Sequence, residues 1–145
     1  DNSEQETHRV LKETTAFLLT DMMRDVITKG TGTKAAISGM NVAGKTGTTN
    51  DTVDLTFYGY TPYYTAGIWM GYDSQKEIIN ANNAHLRIWS SVMSQIHYDK
   101  GLKNKEFKKP DGLTTRSICS ASGMTPSSLC NSSLAFTNRG YYNIR

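Results

Sequence analysis

The chain has 145 residues, which suits a single domain, and its net charge is +3 with both signs of charge interspersed. Its densest lysine stretch, at 100–109, is diluted by acidic and uncharged residues, which argues against a nucleic-acid-binding face. His8, His85 and His97 lie far apart without a partner at zinc-ligand spacing, so neither a metal site nor a cofactor is expected. No apolar run approaches the roughly 18 residues of a membrane helix.

The first predicted element is an amphipathic helix from Leu11 to Lys29, ended by Gly30. The polar segment before it, "DNSEQETHR", is typical of a cut made inside a larger protein, with an ordinary N-terminus as the alternative. The helix is predicted from apolar residues at helical spacing, namely Ala16, Leu19, Met23, Val26 and Ile27.

Three extended segments follow, namely "NVAGKTGTT", "VDLTFYGY" and "TAGIWMGYD". The links between them are only three or four residues long, so the segments are predicted to be neighbouring antiparallel strands. A second helix is expected over 83–98, because Leu86, Trp89, Met93 and Ile96 fall on one helical face. These elements predict an α+β fold in which an antiparallel sheet is packed by helices.

The segment "GMNVAGKTGT", residues 39–48, has two interpretations. It matches G-x-x-x-x-G-K-T, the phosphate-binding loop of NTPases, and it contains K-T-G-T, a signature of penicillin-sensitive serine enzymes. A phosphate loop must start a helix at its lysine, whereas the "GTTNDT" that follows here favours turns. The "TPYY" link is also too short for the crossover helix that parallel strands need. The sequence therefore favours the second interpretation.

A K-T-G strand must present a cation, hydroxyl groups and an accessible backbone to an extended peptide. In a regular strand, Lys45 and Gly47 lie on one face, and Thr46 and Thr48 lie on the other. Gly47 has no side chain, so a substrate is able to lie against the backbone there. "VAGKTGTT" is thus suited to this role.

Four motifs occur in order and at close spacing: "GTGTKAA", "VAGKTGTTND", "FYGYTP" and "AGIWMGYD". From about Thr7 to Trp89 the chain resembles the transpeptidase domain of class A, bifunctional penicillin-binding proteins. The resemblance implies the C-terminal part of a penicillin-binding, serine β-lactamase-like transpeptidase fold. One departure is Thr56, which stands where the family usually has a tryptophan.

The resemblance implies a peptidoglycan D,D-transpeptidase that cross-links stem peptides by serine acyl transfer and is acylated by β-lactams. The family's nucleophile lies in S-x-x-K and a second motif is S-x-N, and neither occurs in these residues. The expected partner is therefore the N-terminal part of the same domain, with extracytoplasmic localisation and membrane attachment only through a missing anchor. A non-catalytic wall-peptide or β-lactam binding module is the alternative, and a P-loop NTPase is a remote one.

The resemblance also assigns roles to residues that match its third motif. Lys45 and Thr48 are the expected catalytic residues, the first supplying positive charge and the second its backbone N–H to an oxyanion hole. The expected substrate-binding residues are Thr46, Gly47, Thr48, Thr49 and Asn50.

The last part of the chain, 113–145, is predicted to be a tail separate from the transpeptidase part at 1–112. It holds both cysteines, Cys119 and Cys130, in a segment rich in Ser, Thr, Gly and Asn. A disulfide between them would close a short loop and require an oxidising compartment, and two unpaired thiols are the alternative.

Overall fold

The computed structural model describes residues 8–119, 124–125 and 137–143. They form α1 (Glu13–Thr28), β1 (Ala43–Thr48), β2 (Asp54–Tyr60), β3 (Thr65–Gly71), α2 (Ala84–Asp99), β4 (Leu113–Cys119) and β5 (Thr137–Asn143). The chain divides into two compact units, one made of 1–18 with 108–145 and the other of 19–107. None of the described helices has the length and apolar character needed to span a bilayer. The domain boundary after residue 112 stays a prediction.

Strands β1, β2 and β3 form a sheet in that order, and both pairings are antiparallel. The predicted meander is therefore confirmed. In the first pairing Lys45 lies opposite Tyr58 and Thr46 lies opposite Phe57. Among the described residues β1 pairs on one side only, so it forms an edge of this sheet.

Helix α2 packs its predicted apolar face against the sheet. Leu86, Trp89 and Met93 are buried, and Ile96 packs partly buried against the same core. The Trp89 ring meets Phe57 of β2 edge-on, with centroids 4.9 Å apart. Its indole N–H donates to the carbonyl of Ala66 in β3 at 2.9 Å, so no polar atom of the indole is left unpaired in the core.

The apolar stripe of α1 differs from the prediction at Leu19, which is 44% exposed. The position was expected to face the core because it continues the helical spacing of apolar residues. The next residue, Thr20, is half-buried, and its hydroxyl shares a 2.8 Å hydrogen bond with the Tyr60 hydroxyl. Ile27, one turn before the glycine stop, is buried as predicted.

A buried hydrogen-bond network joins the turn after β2 to α2. His97 Nδ1 lies 2.6 Å from the carbonyl of Met93, which only accepts, so Nδ1 carries a proton. In the neutral ring Nε2 therefore accepts from the Thr61 hydroxyl, 2.9 Å away. The same hydroxyl oxygen accepts the backbone N–H groups of Tyr63 and Tyr64 at 3.2 and 3.3 Å. One threonine thus satisfies three buried or partly buried groups.

Strands β4 and β5 form an antiparallel pair, from Leu113 opposite Asn143 to Cys119 opposite Thr137. Each of these two strands is seven residues long. Cys119 is the last residue of β4 and is buried. Cys130 lies outside the described residues, so the disulfide stays a prediction.

Replacing Thr61 with valine should lower the free energy of unfolding by about 1–3 kcal/mol, because valine keeps the shape but leaves the His97 nitrogen and two amides without a partner. The measurement is chemical denaturation of the protein that contains this segment. Thr65→Val, at an exposed position of β3, is the matched control and should be close to neutral. Equal losses in both variants would contradict a specific role for the Thr61 hydroxyl.

Candidate functional site

Strand β1 separates the expected site residues onto two faces. Thr46 and Thr48 share the face that carries the buried Phe57, and Lys45 and Gly47 share the opposite face. Lys45 is exposed, and its ammonium group donates to the carbonyl of Thr46 at 2.8 Å. The cation and the two hydroxyl groups therefore project from opposite sides of one short strand.

The backbone of β1 is open along its outer edge. The N–H of Thr49 donates to the carbonyl of Asp54 in β2 at 3.2 Å. Because hydrogen-bonding direction alternates along an antiparallel strand, the N–H and C=O groups of Thr46 and Thr48 point away from β2. An unpaired edge of this kind is able to accept an extended peptide as a further strand.

Gly47 lies against the Thr56 side chain of β2. A Cβ atom built on Gly47 would overlap the Thr56 hydroxyl oxygen. That hydroxyl also lies 3.4 Å from the carbonyl of Gly47, to which it donates. The residue that departs from the family pattern, Thr56, is thus in direct contact with the glycine of the KTGT motif.

A first cavity, of about 530 Å³, opens beside the Thr46 and Thr48 face. Its walls are lined by Thr31, Thr46, Thr48, Thr52, Leu55, Ile78, Asn80, Ala81, Asn82, Asn83 and His85. The hydroxyls of Thr31 and Thr46 share a 2.7 Å hydrogen bond. The sequence did not point to Thr31 or His85, because their approach to β1 depends on tertiary packing. The only advance signal was the place of Thr31 in "GTGTKAA".

His85 is the unusual residue of this cavity. It is only 4% exposed, and its Nδ1 has no hydrogen-bond partner among the described residues. Burial lowers the pKa of His85 below its ordinary value of 6.5, because the charged ring loses hydration. A buried ring nitrogen without a partner is uncommon enough to require an explanation.

A second cavity, of about 630 Å³, lies beyond the end of β1 and is lined by Thr48, Thr49 and Asn50, among others. The Thr49 hydroxyl accepts the N–H of Asp54 at 2.9 Å and lies 3.3 Å from its carboxylate. Thr49 therefore holds the turn between β1 and β2. Thr48 lines both cavities, whereas Lys45 and Gly47 line neither.

The local structure does not fit a phosphate-binding loop. Lys45 and Thr46 lie inside a strand, and the chain then enters a short 3-10 turn at Asn50–Thr52. A phosphate loop needs these residues at the start of an α-helix, where backbone N–H groups converge on the phosphate. The geometry therefore disfavours the NTPase alternative.

Replacing Gly47 with alanine should lower the free energy of unfolding by about 1–3 kcal/mol, because the added methyl group overlaps the Thr56 hydroxyl. Thr56→Ala should restore most of this loss, since the next atom of Thr56 is 3.8 Å from the added Cβ. Denaturation of both single variants and the double variant measures the coupling. Additive losses in the double variant would show that this contact is not the cause.

Comparison with known proteins supports one family throughout. The family model described as the penicillin binding protein transpeptidase domain matches residues 1–85. Penicillin-binding protein 1A of Clostridium perfringens is 35% identical over 123 residues, covering 84% of this chain and 15% of that protein. The protein of the same name from Rickettsia conorii is 36% identical over 118 residues, covering 79% and 15%.

A crystal structure of penicillin-binding protein 1A from Haemophilus influenzae is similar in fold, with a TM-score of 0.69. The match covers 93% of this chain and 21% of that structure, at 18% sequence identity. At that identity the likeness establishes the fold alone. The chain spans about 15% of the length of these curated relatives.

Proposed function

The chain belongs to the family of class A penicillin-binding protein transpeptidase domains, and on that premise we propose that it supplies the KTGT side of a serine D,D-transpeptidase active site. Its substrates are peptidoglycan stem peptides, and β-lactams acylate the same site. The single observation that carries this proposal is the free edge of β1, where the backbone N–H of Thr48 points outward beside a cation and hydroxyl groups.

The proposed reaction is acyl transfer in two steps. A serine hydroxyl attacks the penultimate D-Ala carbonyl and forms a tetrahedral oxyanion, which collapses as the peptide C–N bond breaks, so that terminal D-Ala leaves with the serine proton. An amine of a neighbouring stem peptide then attacks the acyl-enzyme carbonyl, the ester C–O bond breaks, and the amine proton returns to the serine oxygen. The outward N–H of Thr48 stabilises the oxyanion in each step, and such a donor contributes about 3 kcal/mol to transition-state stabilisation.

The proposed role of each side chain follows from the face of β1 on which it lies. Lys45 raises the positive potential of the cleft and assists proton transfer through the second-motif serine. Its exposure and its single bond to a neighbouring carbonyl leave the ammonium group able to reorient. The hydroxyls of Thr46 and Thr48 bind the carboxylate of the substrate, and the missing side chain at Gly47 lets the peptide backbone approach. Asn50, at the mouth of the second cavity, extends the peptide-binding wall.

The nucleophile is proposed to lie on another part of the same domain. No serine in these residues is followed three places later by a lysine, and no S-x-N occurs. One face of the three-stranded sheet carries the side chains of Tyr58 and Trp69, which are 65% and 55% exposed. Exposed aromatic side chains on neighbouring strands form an apolar surface that a further segment of protein is able to cover. The proposal places this assembly outside the cytoplasm, anchored to the membrane by residues beyond the chain, and it requires no cofactor.

A second candidate is a module of the same fold that binds wall peptide or β-lactam without chemistry. It is favoured only by the lack of S-x-x-K and S-x-N in these 145 residues. Covalent acylation separates the two candidates, because a binding module never gains the mass of the antibiotic.

Lys45→Ala should lower the acylation rate of the intact protein by benzylpenicillin at least 100-fold, because the cation that supports proton transfer is removed. Intact-mass spectrometry after timed exposure measures the rate through the mass of one bound penicillin.

Lys34→Ala removes an exposed lysine from a short 3-10 turn and is the matched control for charge. It should acylate at the wild-type rate. Wild-type-like acylation of Lys45→Ala would contradict the role of Lys45, and a wild-type protein that never gains mass would favour the binding module.

A further inference from the structure

The buried histidine of the first cavity has no role in the acyl transfer described above. His85 belongs to the first turn of α2, and it lines the same cavity as the Thr46 and Thr48 side chains. Its Nδ1 is shielded from solvent and has no partner among the described residues. Leaving such a nitrogen unpaired is unfavourable, so a group that pairs with it is bound more tightly.

The walls of this cavity suit an anion better than a cation. His85 is the only titratable residue among its lining residues, and the other polar groups are threonine hydroxyls and asparagine amides. The start of α2 has no acidic residue in its first turn and no side-chain cap, and the carbonyls of Ala81 and Asn83 accept the N–H groups of Ala84, Leu86 and Arg87. The available donors are therefore the side-chain hydroxyls, amides and imidazole of the lining, which are groups that are able to bind a carboxylate.

We propose that His85 is a further substrate-binding residue, which donates a hydrogen bond to the carboxylate held by Thr46 and Thr48 and so selects substrates that carry this charge. This inference rests on the proposed transpeptidase function. Because Nδ1 has almost no solvent-accessible surface, the proposal includes a rotation of the His85 ring that brings a ring N–H towards the ligand. The adjoining Asn80, Asn82 and Asn83 close over this side of the cavity with positive φ angles, a conformation that asparagine adopts more readily than most residues.

A carboxylate in this position matches the groups that line the cavity. It pairs the buried nitrogen of His85 and lies near the N-terminal end of α2. The carboxylate also accepts a hydrogen bond from the Thr48 hydroxyl. The Thr46 hydroxyl, which shares a hydrogen bond with Thr31, either gives up that bond or accepts it from Thr31 while donating to the carboxylate. A hydrogen bond to a charged group contributes more than one between neutral groups, so the loss of His85 should be measurable as a change in discrimination.

The test compares two probes on the intact protein, benzylpenicillin and its methyl ester, which differ only at the carboxylate. The ratio of their second-order acylation rate constants is measured for wild type, His85→Ala and His85→Gln. His85→Ala should lower the acid-to-ester ratio about tenfold, from a hydrogen bond to a charged group. His85→Gln, which keeps a neutral donor, should recover part of that ratio.

Ile88→Ala, at an exposed position of the same helix, is the matched control and should keep the wild-type ratio. A histidine with only a packing role would slow the acid and the ester equally, and an unchanged ratio in both His85 variants would overturn the inference. Should His85→Ala fail to fold, His85→Leu, which fills the space without a donor, takes its place, and a wild-type ratio in that variant overturns the inference. Absence of acylation by either probe in wild type would instead overturn the proposed function.

Discussion

The register between β1 and β2 is the constraint on which the site depends. The bond from the Thr49 N–H to the Asp54 carbonyl fixes which residues of β1 are hydrogen-bonded to the sheet and which face the open edge. A shift of one residue would exchange the two faces, so that Lys45 would project beside the core and the Thr46 hydroxyl would not. The same shift would turn the Thr48 N–H towards β2. Both side-chain placement and backbone availability therefore follow from one pairing.

Helix α2 links the stability of the sheet to the shape of the cavity. Its Trp89 packs on Phe57, which lies directly opposite Thr46 in the adjoining strand. One turn earlier, His85 of the same helix lines the cavity beside that threonine. At the other end, His97 is fixed by Thr61 of the turn that follows β2. The helix is thus held near both ends, and its N-terminal turn has a defined position relative to the KTGT strand.

Much of this arrangement was predictable because it depends on short-range periodicity. The alternation in "VAGKTGTT" and the short links between strands specified the meander, and the spacing of Leu86, Trp89 and Met93 specified the buried face of α2. The predictions were wrong or incomplete where a non-local contact decides. Leu19 is exposed although it continues the apolar spacing, whereas the polar Thr20 bonds to a residue forty positions away.

The approach of Thr31 and His85 to β1 likewise brings together distant parts of the chain, and neither residue type signals such a contact by itself. The strand pair at 113–119 and 137–143 was hidden because its segments lack a strong apolar alternation and are separated by a long polar stretch.

The opposite orientation of Lys45 and Thr46 has a consequence for how this site changes over evolutionary time. Adjacent codons encode side chains that face different surroundings, so a substitution on the threonine side need not disturb the surroundings of the lysine. Gly47 is the exception, since its contact with Thr56 ties a position in the motif to a position on the next strand. Among homologues, substitutions at neighbouring positions of the motif should therefore be largely independent, whereas substitutions at the positions of Gly47 and Thr56 should be strongly correlated.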